Sequence, residues 1–404
     1  MSKTLAVLGG RSRFGSEPVR FVKPRLPSYE SLRPELQAML ESGVLTNVGP
    51  HCLGFEKELA EYLGVSQARA VGSGTVALQL LIQALDLEGE VILPSFTFIA
   101  TAQAAVWSGL TPVFADIHPE TFTLDPRSVA SLITPNTCAI LGVCMFGNPC
   151  DIVALQELAS QKGLALIFDT AHGIGSLYKG KRLGGFGRGE ALSFHATKIL
   201  PAGEGGAVCS EDAALLDRVF KLRNFGREPT EESLRLGMNG KMTEFAALLG
   251  RKQLKGLDQT LRFRRAVAQS YREGLGGVPG IVFQKIEQGA QSNYQNLAVR
   301  VFPEKYGLDR DQLFNVLEAE GVESKKYFSP PIHELVYFQT LAQKGQARIG
   351  DLRESLALSG QILNLPVHSE MAAEKIDGIC EIIAEAHQQS KQVIQRLGQE
   401  VLHA

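Results

Sequence analysis

Three short stretches carry side chains that could work together chemically. In Ser193-Phe194-His195-Ala196-Thr197-Lys198, a lysine follows an apolar run and precedes the glycine-rich turn Ala202-Gly203-Glu204-Gly205-Gly206. Most lysines are solvated surface charges, but this one lies off any amphipathic helix face. A lysine held in a confined site can shed its proton and attack an aldehyde, forming a Schiff base. In Leu166-Ile167-Phe168-Asp169-Thr170-Ala171-His172, an aspartate closes an apolar strand. Ligands bind at that edge of open α/β sheets, although a capping or turn aspartate has the same local sequence, and His172 could be a plain packing histidine. In Gly72-Ser73-Gly74-Thr75, a small-residue turn opens the helical run Val76 to Leu85. Free backbone N–H groups and the helix dipole suit a phosphate there. A simple N-cap by Ser73 or Thr75 accounts for the same residues.

The elements that would position these residues follow from hydrophobic patterning. Strands are expected at 91–93, 112–115, 138–143, 164–168, 191–194 and 206–209, with helices near 99–107 and 151–161. The strands show little polar alternation, as strands buried on both faces do, so a mostly parallel sheet is expected. Helical spacing also appears at 28–41 and 55–63. Residues 1–27 read as an irregular arm. A helical pattern over 243–272 is interrupted only by Gly250 and Gly256. Beyond it lie a strand at 296–301, a helix at 310–320 and one long helix at 372–397. A length of 404 residues exceeds one ordinary domain. The division expected is 1–255 for the arm and large domain and 256–404 for a smaller C-terminal domain.

Composition excludes several classes. Apolar residues make up 44% and charged residues 21%, with a net charge of -2. That balance gives no reason for nucleic acid or a membrane surface as partner, so anionic substrates need local positive charge. The six cysteines (52, 138, 144, 150, 209 and 380) form no C-x-x-C pair. Neither a metal site nor a disulfide framework is expected, and a reducing, cytoplasmic setting is. No signal-peptide layout or membrane-length apolar stretch occurs. Two glycine-rich segments are decoys. The run Leu5 to Gly10 lacks a P-loop ending and meets Pro18, and Gly184 to Gly189 opens a strand rather than a helix.

Taken together and in order, the segments GSGTVALQLLIQAL, EVILPSFTFIATAQAAVWSGLTPVFADI, FDTAHGIGSLYKGKRLGGFG, SFHATKILPAGEGGAV and GMNGKMTEFAALLG resemble the DegT/DnrJ/EryC1/StrS sugar aminotransferases. The resemblance runs from about Leu45 to Pro366 and is most specific over 70–250. It implies an α/β chain of PLP fold type I (aspartate-aminotransferase-like). Such a chain has a large domain with a mostly parallel, seven-stranded sheet flanked by helices, and a smaller C-terminal α/β domain. It also implies pyridoxal 5'-phosphate (PLP) as cofactor.

The resemblance assigns roles residue by residue. Lys198 matches the Schiff-base lysine, and Asp169 the carboxylate facing the pyridine nitrogen. His172 matches a residue beside the cofactor's phenolic oxygen, and Phe98 an aromatic stacked on its ring. Gly74, Thr75, Val76 and Ser193 match the phosphate cradle. Asn239 matches an asparagine that reaches the phosphate across a subunit boundary, which implies a homodimer with shared active sites. Thr46, Lys241, Tyr327 and His333 fall on the substrate side. The implied reaction moves an amino group from glutamate or glutamine to a keto-sugar, nucleotide-linked, in amino-sugar or natural-product biosynthesis. Its rivals are a ketocyclitol or other small carbonyl acceptor, the family's sugar-dehydratase branch, and a PLP-binding regulatory protein. In the dehydratase branch a histidine resembles the Lys198 position.

Three segments depart from the common pattern. Asn239-Gly240-Lys241-Met242 replaces N-x-R-M, losing the bidentate fork of arginine. Cys144-Met145-Phe146-Gly147 replaces a histidine-led segment. Tyr294-Gln295-Asn296 stands where many members carry a Tyr-His pair.

Overall fold

The computed structural model describes residues 4–401 except 229 and 231. Its main sheet has strands β1 (Gln67–Val71), β2 (Glu90–Pro94), β3 (Thr111–Ala115), β4 (Thr137–Val143), β5 (Ala165–Asp169), β6 (Gly189–Ser193), β7 (Gly206–Ser210) and β8 (Arg348–Ile349). They lie in the order β1-β7-β6-β5-β4-β2-β3-β8. Only β7 runs against the rest. Six of these match strands expected from the sequence, and with β1 (Gln67–Val71) they make the seven of a fold-type-I sheet. The eighth is a two-residue edge strand lent by the C-terminal part of the chain.

Helices cover both faces: α1 (Tyr29–Ser42), α2 (Pro50–Leu63), α3 (Gly74–Ala84), α4 (Ile99–Trp107), α5 (Pro126–Leu132), α6 (Ile152–Lys162), α7 (Ala213–Leu222), α8 (Glu244–Lys255) and α9 (Leu257–Leu275). Strand side chains alternate between faces, so one strand serves two cores. Val91 and Leu93 join the core under α3, α4 and α7, while Ile92 joins the opposite core under α5 and α6. Burying each such side chain contributes about 1.5–3 kcal/mol. This is why β2 carries no polar residue at 91–93.

The second core lies around an antiparallel sheet of Ile281–Phe283, Leu297–Val301 and Ile362–Leu365. The later turns of α9 and the helices Arg310–Ala319 and Ala373–Gln388 pack on it. Side chains from residues 5–19 pack here too. Leu5 and Val19 are part of this core, and Glu320 accepts from the backbone N–H groups of Ala6 and Arg13 at 2.7 and 2.8 Å. The long helix expected at 372–397 is two helices, Ala373–Gln388 and Ser390–Val401. Val393 and Leu397 reach the same core as Ile379 and Ile383. The helical run is broken at Gln389, and both helices bury apolar side chains in this core. Among the described residues, no helix is long and apolar enough to cross a membrane.

A buried ion pair joins this frame to the mouth of the sheet. Arg223, at the end of α7, is fully buried. Its Nη1 donates to the Glu56 carboxylate of α2 and to the carbonyl of Ala70 in β1. Glu56 also accepts from Ala70 N–H at 2.9 Å. The Arg223 carbonyl accepts from Gly240 N–H, and the Gly240 carbonyl from Gly72 N–H, so the 239–241 segment is fixed beside the N-terminus of α3. Replacing Glu56 with leucine leaves the guanidinium charge buried and uncompensated, with an expected loss of about 3–5 kcal/mol. Denaturant unfolding of Glu56→Leu checks this; a loss below about 1 kcal/mol, the scale of an exposed pair, would contradict it.

Candidate active site

The carboxyl ends of β4, β5 and β6 and the N-terminus of α3 surround a cavity of about 530 Å³, within the size range of small-molecule sites. Asp169, the last residue of β5, is 6% exposed. Its carboxylate accepts from Thr101 Oγ1 at 2.8 Å and from Ala171 N–H at 3.0 Å. Burial raises its pKa against the opposing pull of those hydrogen bonds and of Lys198. Buried in this way, the carboxylate would be stabilised by a cationic group placed against it.

Lys198 follows β6 in a tight turn that returns its N–H to the His195 carbonyl. Burial lowers its pKa to about 8, although Asp169 opposes the shift. Gln295 grips both sides of the lysine. Its Nε2 donates to the Thr197 carbonyl at 3.0 Å, and its Oε1 accepts from Ile199 N–H at 3.1 Å. Arg264, on α9, in turn donates to the carbonyls of Tyr294 and Gln295. Patterning gave no signal for Thr101, Gln295 or Arg264, because each acts through a partner distant in sequence.

The cradle at α3 is closely built. Ser73 caps the helix, accepting from Val76 N–H at 3.2 Å, so the capping and phosphate-site readings describe the same turn. Gly74 approaches Ser193 so closely that a Cβ on it would lie 2.7 Å from the Ser193 Cβ. A Cβ on Gly206 would meet the Ser73 carbonyl oxygen at 2.4 Å. Ser73, Gly74, Thr75 and Ser193 line the cavity together, whereas Val76 does not line it and its N–H is held by the Ser73 hydroxyl.

The donor set fits PLP. It offers a desolvated amine, a buried carboxylate, a helix N-terminus with hydroxyls for a phosphate, and the 57% exposed ring of Phe98. His172 lies in the cavity wall, stacked with Phe146 and Phe328. Burial, and then the Lys198 charge, push its pKa well below the ordinary value, so it is neutral.

The structure gathers Gly74, Thr75, Phe98, Asp169, His172, Ser193, Lys198 and Tyr327 around one cavity. Besides Val76, four other expected residues lie off the cavity lining. Thr46 and Asn239 are exposed away from their own chain's cavity. Lys241 donates to Asn224 Oδ1 at 3.0 Å and sits over the Phe225 ring. His333 is buried against Ser95, with its Nδ1 2.6 Å from the Ser95 hydroxyl.

Residues 29–384 match the model of the DegT/DnrJ/EryC1/StrS aminotransferase family. A dTDP-4-amino-4,6-dideoxy-D-glucose transaminase of Shigella dysenteriae is 34% identical over 91% of this chain and 99% of its own. A dTDP-3-amino-3,4,6-trideoxy-alpha-D-glucose transaminase of Streptomyces venezuelae is 36% identical over 85% of this chain and 91% of its own. The crystal structure of DesI in the presence of its TDP-sugar product superposes with a TM-score of 0.90 at 37% identity, covering 97% of this chain and 98% of that one.

The lowered pKa of Lys198 makes its amine neutral above about pH 8, whereas exposed lysines stay charged to about pH 10. Acetylation of the cofactor-free protein, mapped by mass spectrometry, is therefore expected to rise at Lys198 with a midpoint near 8. A midpoint shared with the surface lysines would contradict the desolvated site.

Proposed function

The chain belongs to the DegT/DnrJ/EryC1/StrS aminotransferase family, and on that premise we propose that it uses pyridoxal phosphate to move an amino group from glutamate or glutamine to a nucleotide-linked keto-sugar. One observation carries the reading: a desolvated Lys198, a buried Asp169 and the Gly74–Ser193 cradle share a single cavity. When bound, the cofactor supplies an aldehyde for the lysine amine and an electron-accepting ring.

The chain's own residues do the rest. Lys198 takes the proton from the substrate carbon and returns it. An amine with a pKa of about 8 does both near neutrality, because an acid–base catalyst works best close to the operating pH. Asp169 supplies the negative charge that keeps a ring nitrogen protonated, and Thr101 and Ala171 hold its oxygens in place. Neutral His172 offers a hydrogen bond without adding charge. Phe98 gives an apolar face, and Thr75 and Ser193 bind phosphate. The relatives named for dTDP-sugars support the acceptor class, and lysine at position 198 disfavours the dehydratase branch.

Asn239 serves the cavity of a second copy of the chain, which accounts for its exposure away from its own. The exposed Leu234, Leu236 and Phe225 nearby belong to the same contact. The domain boundary falls at 255/256, between α8 and α9, and the setting is cytoplasmic, in keeping with six unpaired cysteines.

Lys198→Ala is expected to lower turnover at least about 10³-fold, as loss of a proton-transferring group does, in an assay of glutamate against a panel of nucleotide keto-sugars. Turnover near wild type would refute the mechanism. Mixing Lys198→Ala with Asn239→Ala subunits is expected to restore activity that neither has alone. A monomer in light scattering with no recovery on mixing would refute the shared site.

A further inference from the structure

A second, smaller cavity adjoins the Lys198 turn. It is lined by residues 21–25 of the N-terminal arm, by residues 197–199, and by Arg264 and His368. Its volume is about 30 Å³, room for an ion or a water and too little for an amino acid or a sugar. Arg264 and His368 are 7% and 6% exposed. The Nε and Nη2 of Arg264 donate to the carbonyls of Tyr294 and Gln295. Its third nitrogen, Nη1, has no partner among the described residues, and unlike the Nε and Nη2 of Arg223 it is not sealed from solvent. The Nδ1 of His368 accepts from Glu370 N–H at 3.3 Å. A neutral imidazole that accepts at one nitrogen carries its proton on the other. Burial, and then the charges of Arg264 and Lys23, hold the pKa of His368 down to about 4, so the ring is neutral and Nε2 is a donor. Nε2 also has no partner among the described residues and is not sealed from solvent.

Two unpartnered donors therefore belong to the lining of one cavity, and the balance of charge there decides which acceptor fits. Arg264 enters no ion pair among the described residues, and burial, with no carboxylate to oppose it, lowers its pKa to about 9. It is still cationic near neutrality, and a buried cation without a counter-charge is costly. Lys23 and Arg25 also line the cavity, and no aspartate or glutamate does. Lys23 pairs with Glu370 at 2.5 Å, but that carboxylate lies outside the lining and leaves Arg264 uncompensated. A water would satisfy the two N–H groups without offsetting the charge, and a phosphate or sulfate exceeds the space. We propose that the cavity is a binding site for one monovalent, halide-sized anion, chloride, which accepts from Arg264 Nη1 and His368 Nε2. The bound ion offsets the charge of the residue that holds the Gln295 carbonyl, and Gln295 in turn grips the peptide groups beside Lys198. The arm is tied down beside the site by Gln253, whose Nε2 donates to the Arg25 carbonyl at 2.6 Å. The site is separate from the cavity that holds the reacting groups, and the proposal does not depend on the aminotransferase reading.

Bromide, which scatters X-rays anomalously, reports the site directly. Crystals of the full chain saturated with pyridoxal phosphate, which keeps halide out of the cradle at Gly74, are soaked in sodium bromide. An anomalous peak is expected within hydrogen-bond distance of both Arg264 Nη1 and His368 Nε2. In solution, the melting temperature of the same protein in phosphate-free buffer is expected to rise and level off as sodium chloride replaces sodium gluconate at constant ionic strength, as binding to the folded state requires. His368→Asn keeps an acceptor for Glu370 N–H and removes the cavity donor. It is expected to need about tenfold more chloride for the same rise, the scale of one hydrogen bond to a charged acceptor. If that variant does not fold, the bromide map decides alone. A cavity holding only water, bromide confined to the protein surface as an adventitious ion only, a melting temperature indifferent to the exchange of gluconate for chloride, or an unchanged chloride response in His368→Asn overturns the proposal.

Discussion

Desolvation of the Lys198 amine is the constraint on which the site depends. An amine in water holds its proton near its ordinary pKa, and burial disfavours the charged form. The shift to about 8 requires that the lysine be kept in its cavity and that its backbone not give way. Gln295 meets the second requirement by engaging the peptide groups on both sides, and Arg264 fixes Gln295 by its carbonyl. Asp169 is the counterweight. It favours the protonated amine and is itself raised by burial, so each group restrains the other's shift.

The frame answers to the same demand for precision. Sheet residues serve two cores at once, which makes the strand ends stiff, and the functional groups sit at those ends. Gly74 and Gly206 permit approaches that any Cβ would block, bringing the α3 N-terminus against β6 and β7. The Arg223–Glu56 pair sets the same edge from the other side, because the Arg223 carbonyl holds Gly240 and Gly240 holds Gly72. A buried pair of this kind adds little net stability over a hydrophobic replacement but is costly to break. Its value here is placement of the 239–241 segment beside the cradle.

Much of this was legible in the sequence, and the particular residues show why. Val91-Ile92-Leu93 and Leu166-Ile167-Phe168 announced strands buried on both faces, and the structure places them mid-sheet. Helix α4 forms over the span that spacing alone indicates, Ile99–Trp107. Strand β1 was missed because Arg69 interrupts an already short apolar run. Arg69 lies at the sheet's edge, where it pairs with Glu56. Helix α5 was missed although Asp125 and Pro126 are a cap and first-turn signal, because seven residues are too few to show a period. The break at Gln389 has no glycine or proline to mark it and follows from where Val393 must be buried. Lys198, Asp169 and the Gly74 turn became a site only through their joint order. Gln295, Arg264 and Thr101 are legible only in three dimensions.

The central claim is that Lys198 is a poised, desolvated amine facing a carboxylate in a phosphate-binding cavity. The most direct measurement is the absorbance of the purified protein mixed with pyridoxal phosphate, before and after glutamate is added. A yellow band is expected that forms with wild type, is missing in Lys198→Ala, and bleaches when glutamate gives up its amino group. Absence of any cofactor band in the wild-type protein, or a band equally present in Lys198→Ala, would contradict it.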